Sequence, residues 1–549
     1  MSSENRERLE RSWATSPGIV RQGAAGKPDK GIPLTDSRPL YWYRKPKDER
    51  AWAVTDTLIA GLLSADPSRI VIARNGEPYI PDTNPAAVDL TRHIGSVALE
   101  QSETALHPVS NRSVVAQLPY ALLSGVRQKG VRGRPIDLNR RIDVSRRILL
   151  DLYVAATEFV RPLWVGVSLR EGDYSRAASP NLPKLVGYAA VRWAVEELVR
   201  FRLAHIKKGR YTKHKYGGFQ TIIRATPKLL AYFNRLPLTS VALDSERPLV
   251  IVKRKNEADL PTPNTKQVKR WREVVAGMNE LLRAHDCRLE LTTEQRRAMT
   301  VRMLARNEWQ RANPEEWKKE LIGEHSFELT RTFNEDVAGG GRFTGAFYQN
   351  IPSDFRRYIR LGDEKTNELD YSCTFPALLY ARAGLPCPKE CYALPGYDDR
   401  DSHRSLVKLA VNVRINAGTP ERAVKSLRHR WMKEHGKAWP SWKSKVWSGL
   451  PHVDSPNKAR LVAEEIVDLI PIVHGPIAQF FYADVWKELF RTESDIAFLI
   501  LASAVQRAMP LCPVHDSFVC KQSQVEELRD VMVASWRVST GQEPLIKPK

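Results

Sequence analysis

Apolar positions change their spacing along the chain, and each change predicts a different element. Between residues 188 and 199 they recur at intervals of three and four, which predicts an amphipathic helix. Residues 203–206 then form a short apolar run, and Gly217-Gly218 separates two strand-prone stretches, which predicts a hairpin. The stretch "PKLLAYF" at 227–233 predicts a second helix. The resulting order is helix, hairpin, helix.

Breaks in this patterning divide the chain of 549 residues, whose length predicts more than one domain. Residues 1–135 mix turns with short apolar runs and contain no motif that indicates chemistry. The helix–hairpin–helix order falls within 136–250. Residues 251–267 are polar and charged and carry two prolines, which predicts a linker, and 268–549 form the remaining half.

The longest apolar run, "IAFLILASAV" at 496–505, is about half the length that a bilayer crossing needs. It predicts a buried helix, and we expect no membrane partner. The amino-terminal segment is polar, and the six cysteines of so long a chain do not form a disulfide framework. These features predict a cytoplasmic, reducing setting.

The net charge of the chain indicates which kind of molecule it binds. The chain carries 85 Lys and Arg against 63 Asp and Glu, a formal charge of +22. A net charge of this size favours a polyanion, and nucleic acid is the leading expectation.

The helix–hairpin–helix order with a basic hairpin resembles the winged-helix family of DNA-binding modules. In that family one helix enters the major groove and the wing contacts phosphate. The resemblance implies that Lys213, Lys215 and Arg224 contact phosphate. The alternative is a hairpin with a solvated basic face.

Candidate chemistry lies in the second half. In "NELDYSCTFPALLYARAG", Asp370 ends a strand-like run directly before a helix-prone one, a position suited to a metal ligand. In "HRSLVKLAVNVRINAG", two cations and then two amides stand four residues apart, so a helix presents all four on one stripe that could bind a triphosphate and then a sugar or base. They are Arg404, Lys408, Asn412 and Asn416. "MPLCPVHDSFVC" places His515 and Asp516 between two strand-like runs.

The order GRxTG, QNIP, DYS, RxxxK, HDS is similar to family A DNA polymerases over about residues 265–549. The resemblance implies an α+β right-hand polymerase with an antiparallel palm sheet and helical fingers and thumb. It also implies two Mg²⁺ ions, for which Mn²⁺ can substitute, held by Asp370 and Asp516. Arg404 and Lys408 would bind the incoming nucleoside triphosphate.

The same resemblance implies contacts to a DNA primer-template. Arg342, Gln349 and Asn350 would meet its backbone and minor groove near the growing end, and His515 would contact the primer end. Three further arginines would add charge towards phosphate: Arg356, Arg357 and Arg360.

The sequence also departs from the family pattern. Asn412 and Asn416 stand where the family usually carries an aromatic and a Tyr-Gly, and Phe375 stands at its sugar gate. A bulky apolar group there would clash with a ribose 2′-hydroxyl, which favours deoxynucleotides. However, "DYSC" and "HDSF" are also similar to motifs of phage-type single-subunit RNA polymerases, so the choice of sugar stays open.

These observations predict a template-directed DNA polymerase without a proofreading domain, recruited through the winged-helix-like module. The first alternative is a single-subunit RNA polymerase or primase. The second is a non-catalytic DNA-binding replication or regulatory protein on a polymerase scaffold. A purely structural interpretation of the motifs would make Asp370 a helix cap, "RSLVK" a solvated face and "HDSF" a turn between strands.

Overall fold

The structure is a computed structural model that combines α-helices with largely antiparallel sheets. It describes residues 37–39, 44–64, 73–74, 77–78, 138–158, 162–175, 179–209, 220–233, 236–243, 247–254, 259–312, 323, 326–397, 401–436, 439–440 and 443–549. The described residues fall into two compact units. Unit 1 is drawn from 1–248, 254–261 and 296–326, and unit 2 from 249–253, 262–295 and 327–549.

The elements are numbered in chain order. The α-helices of the described residues are α1 (Glu49–Ser64), α2 (Leu138–Thr157), α3 (Tyr188–Arg200), α4 (Pro227–Phe233), α5 (Lys266–Ala284), α6 (Thr293–Ala312), α7 (Thr374–Arg382), α8 (Asp401–Asn416), α9 (Pro420–His435), α10 (Pro456–Val473), α11 (Trp486–Gln506) and α12 (Val525–Thr540). The strands are β1 (Ser37–Pro39), β2 (Arg44–Pro46), β3 (Ala73–Arg74), β4 (Glu77–Pro78), β5 (Trp164–Gly166), β6 (Ala204–Lys207), β7 (Ile222–Ala225), β8 (Val241–Leu243), β9 (Val250–Lys253), β10 (Asp259–Leu260), β11 (Arg288–Leu289), β12 (Thr330–Asn334), β13 (Gly340–Thr344), β14 (Ile359–Leu361), β15 (Glu364–Tyr371), β16 (Cys512–Val514), β17 (Ser517–Lys521) and β18 (Ile546–Pro548).

Unit 1 contains the predicted helix, two strands and helix in the order α3, β6, β7, α4. β6 and β7 pair antiparallel with Ala204 opposite Ala225, and the sheet order is β1-β5-β7-β6. Thr226 begins α4 because its hydroxyl accepts a hydrogen bond from Leu229 N at 3.2 Å. The Gly217-Gly218 turn lies outside the described residues. The winged-helix assignment therefore stays a prediction.

Unit 2 is built on an antiparallel sheet in the order β11-β14-β15-β17-β16, with β18 also paired to β15. Leu369 and Tyr371, two residues apart near the end of β15, are both buried. They point to one face of the strand, towards the core, and Asp370 between them lies on the other face.

The segment 251–267, predicted as a linker, contributes residues to regular elements at both of its ends. Its first residues lie in β9, which pairs in parallel with β12, so that Ile251 is opposite Thr332. At its end Thr265 caps α5 by accepting a hydrogen bond from Val268 N at 3.2 Å. The residues "VIVK" alternate between buried and half-buried positions, and this pattern favours a strand at the start of the segment although polar residues follow it.

The apolar run at 496–505 lies in α11, as predicted. Ile496, Ile500, Leu501 and Ala504 are buried in unit 2. No helix among the described residues is long and apolar enough to cross a membrane.

Candidate active site

Asp370 and Asp516 meet where two neighbouring strands turn. Asp370 is the penultimate residue of β15 and stands opposite Ser517, the first residue of β17. His515 and Asp516 form the two-residue turn that joins β16 to β17, since Val514 pairs with Ser517. Tyr371 N donates to Asp516 O at 3.3 Å. The antiparallel register therefore brings together two carboxylates that are far apart in sequence.

Left-handed backbone occurs at two positions near the carboxylates. His515, directly before Asp516, has φ of 60°, and Cys373, three residues after Asp370 and directly before α7, has φ of 55°. Residues other than glycine occupy this region at a cost of about 1–3 kcal/mol, and such residues cluster at functional sites. The surrounding fold therefore holds the sharp turn that carries Asp516 and the one that begins α7.

The Asp370 carboxylate is short of hydrogen-bond donors. Within the described part of the chain its buried Oδ1 accepts no hydrogen bond, and the Lys549 ammonium lies 3.6 Å from it. Burial raises the pKa of Asp370, and the negative charge of Asp516 raises it further, although Lys549 and Lys547 oppose this. A buried carboxylate oxygen without a donor, next to a second carboxylate, fits a divalent cation.

No group of three or more His, Cys, Asp or Glu side chains is arranged as a metal cluster among the residues with described positions. The predicted metal ligands are therefore a pair.

Glu368 lies two residues before Asp370 on the same face of β15. Burial favours its neutral form, but Arg356, Ser517 and Lys549 outweigh burial and lower the pKa of Glu368. Arg356 donates twice to this carboxylate, at 2.8 Å and 3.0 Å, and Ser517 Oγ donates at 2.6 Å. Arg356, expected to face phosphate, is instead buried in a bidentate pair that supports the strand of Asp370.

Glu493 on α11 is a further carboxylate beside this site. It lines a small cavity together with Thr374, His515 and Asp516. Arg342 Nη2 donates to Glu493 Oε2 at 2.6 Å. Burial raises the pKa of Glu493 to about 7, while the charge and hydrogen bond of Arg342 oppose the rise.

The glycine run before Arg342 shapes β13. Gly341 has φ of 95°, and a Cβ at this position would lie 2.8 Å from the Phe333 ring. The pairing of β12 with β13 also shifts register between Thr332 and Phe333. Glycine is needed here because the two strands approach so closely. An approach of the same backbone to a duplex stays a prediction.

The four predicted nucleotide-binding residues share one helix, α8. Their fourfold spacing places them on one stripe, while Leu406, Val407 and Ala410 on the other side are buried. Lys408 and Asn416 are exposed, and Arg404 and Asn412 are partly buried.

The two cations of α8 also act on the residue before α7. Hydrogen bonding to Cys391 lowers the pKa of the Cys373 thiol, and the charges of Arg404 and Lys408 act in the same direction, although burial opposes them. Because Cys373 stands three residues after Asp370, the basic end of the stripe lies close to the carboxylate strand.

Gln349 has internal partners throughout its side chain. Its Nε2 donates to Phe343 O at 3.0 Å and Pro513 O at 2.9 Å, and its Oε1 accepts from Ala346 N at 3.3 Å. The amide is buried and connects the end of β13 to β16. In this structure the side chain links two strands of the fold, and its contact with nucleic acid stays a prediction.

The other residues predicted to contact nucleic acid also have partners within the chain. Asn350 Nδ2 donates to Ala346 O at 3.0 Å, and Arg360 pairs with Glu290 at 2.7 Å. Arg357 is exposed, and its guanidinium lies over the Tyr358 ring. Arg357 is thus the most accessible of the three arginines at 356–360.

In unit 1, Arg224 is partly buried on β7, with its guanidinium carbon 4.6 Å from the centre of the Trp164 ring. Lys213 and Lys215 lie outside the described residues. The predicted phosphate contacts of this unit stay predictions.

Several residues of the site were not found from the sequence. Glu368 could have been recognised, because it precedes Asp370 by two positions in a strand. Glu493 carries a weaker signal, as a carboxylate just before an apolar helical run. Thr374 carries none, since its partner Asp516 is distant in sequence.

Comparison with known proteins gives little further information. No family model matches the sequence, and no curated protein matches it. Among solved structures, the POL domain of Pol1 from M. smegmatis, in complex with DNA primer-template and dNTP, is 13% identical with a TM-score of 0.25. The match covers 53% of this chain and 57% of that one. At these values the similarity is too weak to establish a shared fold or activity.

Proposed function

We propose that this protein is a template-directed nucleotidyltransferase, most specifically a DNA polymerase that adds deoxynucleotides to a 3′-hydroxyl without proofreading. The observation that carries the proposal is the register of β15 and β17, which brings Asp370 beside Asp516 at the edge of a half-buried site. Nucleotidyl transfer needs such a pair of carboxylates more than it needs a nucleophilic side chain.

Asp370 and Asp516 would hold two Mg²⁺ ions, for which Mn²⁺ could substitute. Asp370 Oδ1 is buried and accepts no hydrogen bond within the described residues, and the pKa of Asp370 is raised; both observations support a cation at this position. Bound magnesium would supply activation of the primer hydroxyl and charge neutralisation at the phosphates. Thr374 would orient the Asp516 carboxylate through a 2.7 Å hydrogen bond.

Arg404 and Lys408 would neutralise the incoming triphosphate, and Asn412 and Asn416 would lie further along the same stripe. Phe375, the second residue of α7 and five positions after Asp370, would limit the space beside the sugar. In this arrangement the protein contributes positioning and electrostatic stabilisation, which account for most of the rate in phosphoryl transfer.

A DNA primer-template is the polyanion that the charge of +22 favours. Arg342 and the exposed Arg357 would contact it near the growing end, together with His515 of the β16–β17 turn. Unit 1, with its helix–strand–strand–helix order, would recruit the protein to a replication origin or to a particular genetic element, such as a plasmid or phage-like element.

RNA synthesis, by a single-subunit RNA polymerase or primase, is the second candidate function. The observation that favours it is the pair of motifs "DYSC" and "HDSF" around the two carboxylates. A third candidate, a non-catalytic DNA-binding protein, is disfavoured because a raised pKa at Asp370 destabilises the fold at neutral pH and has no evident structural benefit.

The test is extension of a labelled primer on a DNA template with Mg²⁺, with deoxynucleotides and ribonucleotides supplied separately. Asp370→Asn and Asp516→Asn should abolish extension. Asp363→Asn is the matched control, because Asp363 lies in the fully exposed turn at the other end of β15. A titration with Mn²⁺ alone, monitored by electron paramagnetic resonance, should show that the wild-type protein binds Mn²⁺ and that both site variants do not.

Extension with deoxynucleotides alone would support the DNA polymerase, and extension with ribonucleotides would favour the second candidate. Activity that survives either Asp→Asn substitution would contradict the assignment of these ligands. Absence of extension on both primed and unprimed templates would leave the DNA-binding candidate.

A further inference from the structure

Two phenylalanines of unit 2 are in contact, and one of them is the proposed sugar gate. Phe375 on α7 stands at the position of the proposed sugar gate, and Phe490 lies on α11. Their ring centres are 5.0 Å apart with planes inclined at 59°. This tilted geometry is favourable for aromatic pairs. Both rings are partly exposed, so the contact lies at the edge of the core.

Phe490 contacts Arg342 as well. The guanidinium carbon of Arg342 lies 4.0 Å from the centre of the Phe490 ring, within cation–π range. The same guanidinium pairs with Glu493, which is three residues further along α11 and therefore on the same face. One face of α11 thus fixes Arg342 through a ring and a carboxylate.

Phe490 restricts the side-chain rotamers of Phe375 and Arg342. A phenylalanine side chain turns about two torsions, and a ring in contact excludes some of its rotamers. With Phe490 in place, Phe375 and Arg342 keep a defined relative position. A smaller side chain would leave a gap into which the Phe375 ring could turn.

We propose that Phe490 is a positioning residue for sugar selection: it holds the Phe375 ring where a nucleotide sugar is selected and fixes Arg342 beside it. This inference rests on the proposed nucleotidyltransferase function. It assigns part of the specificity to α11, which supplies neither predicted metal ligand.

The experiment measures kcat/KM for deoxynucleotide and for ribonucleotide incorporation and takes their ratio. Phe490→Leu should move this ratio about 3- to 10-fold towards one, the size expected for loss of one aromatic pair. Phe490→Tyr keeps the ring and should retain the wild-type ratio. Phe480→Leu is the matched control, because Phe480 is also partly exposed beneath an arginine, Arg382, but belongs to a different segment.

A double-mutant cycle tests whether the effect passes through Phe375. If it does, Phe490→Leu should change the ratio little once Phe375 is already leucine. Thermal unfolding of every variant reports folding, and Phe490→Met replaces Phe490→Leu if the leucine variant does not fold.

Two results would overturn the inference while leaving the proposed function intact. They are an unchanged ratio in folded Phe490→Leu or Phe490→Met, and additive effects in the cycle. A wild-type ratio near one would overturn the inference together with the proposed preference for deoxynucleotides, but not nucleotidyl transfer itself. Absence of incorporation by the wild-type protein would overturn the proposed function and this inference with it.

Discussion

Thr374 Oγ1 donates a hydrogen bond to Asp516 Oδ2 across 2.7 Å. Thr374 is the first residue of α7 and is separated from Asp516 by 142 positions. The hydroxyl therefore links the helix that follows Asp370 to the turn that carries the second carboxylate. Since Asp370 and Thr374 belong to one strand–helix connection, the bond fixes the two carboxylates relative to each other.

Replacement of this hydroxyl should weaken the site. We expect Thr374→Val to lower Mn²⁺ affinity or turnover by about 10- to 100-fold, the usual cost of losing a hydrogen bond to a metal ligand. Thr374→Ser keeps the donor and should remain within a few-fold of wild type. Equal Mn²⁺ binding and primer extension by the valine and wild-type proteins would contradict the role of the hydroxyl.

Sequence patterns predicted those parts of the site that are local. The strand that ends at Asp370 and the helix after it follow from alternation and then a continuous apolar stretch. Likewise, the stripe on α8 follows from fourfold spacing.

Contacts between distant segments could not be predicted in this way. Arg342 pairs with Glu493 across 151 positions, and Gln349 bonds Pro513 across 164. No local pattern encodes such a partner. The resemblance to family A polymerases therefore predicted that Gln349 and Arg356 contact nucleic acid, whereas the structure buries both side chains. Burial depends on which strands pair, and that is decided by the whole fold.

The stripe on α8 gives a second prediction. Arg404→Ala and Lys408→Ala should each raise the KM for the nucleotide by about 10- to 100-fold, because each removes a charge-assisted contact to phosphate. Arg404→Lys should recover only part of the loss, since a lysine cannot reproduce a bidentate contact. Steady-state kinetics with varied nucleotide checks this.

Lys425→Ala on the adjacent α9 is the control for the stripe, because Lys425 is exposed and lies outside it. It should leave KM unchanged. A KM equal to wild type in both α8 variants would contradict triphosphate binding by this helix.

Gln349 gives a third prediction, which separates a structural role from nucleic-acid contact. Gln349→Leu leaves two buried carbonyls, of Phe343 and Pro513, without their donor, so the free energy of unfolding should fall by about 1–3 kcal/mol or more. Urea unfolding measures this change. Asn350→Ala, which removes one local bond at a partly buried position, should cost less. Unchanged stability with weakened DNA binding would instead support direct contact.

Glu493 gives a fourth prediction, which concerns pH. In the fold its pKa is raised from 4.5 to about 7 by burial, with Asp516 adding to the rise and Arg342 opposing it. Between these two values the folded state binds a proton that the unfolded state has released. Stability due to this group must therefore fall as pH rises from about 4.5 to 7 and stay constant above that window.

Glu493→Gln removes the titration and retains a side chain of similar size. The free energy of unfolding of the wild type relative to this variant should decrease by about 3 kcal/mol across the window, since each pKa unit corresponds to about 1.4 kcal/mol. Urea unfolding at intervals between pH 4 and 8 measures the difference. Glu488→Gln on the same helix is the control for the loss of a carboxylate, because Glu488 is exposed. A flat difference for Glu493→Gln would mean that Arg342 keeps Glu493 ionised throughout, and the cavity beside Asp516 would then carry one more negative charge at neutral pH.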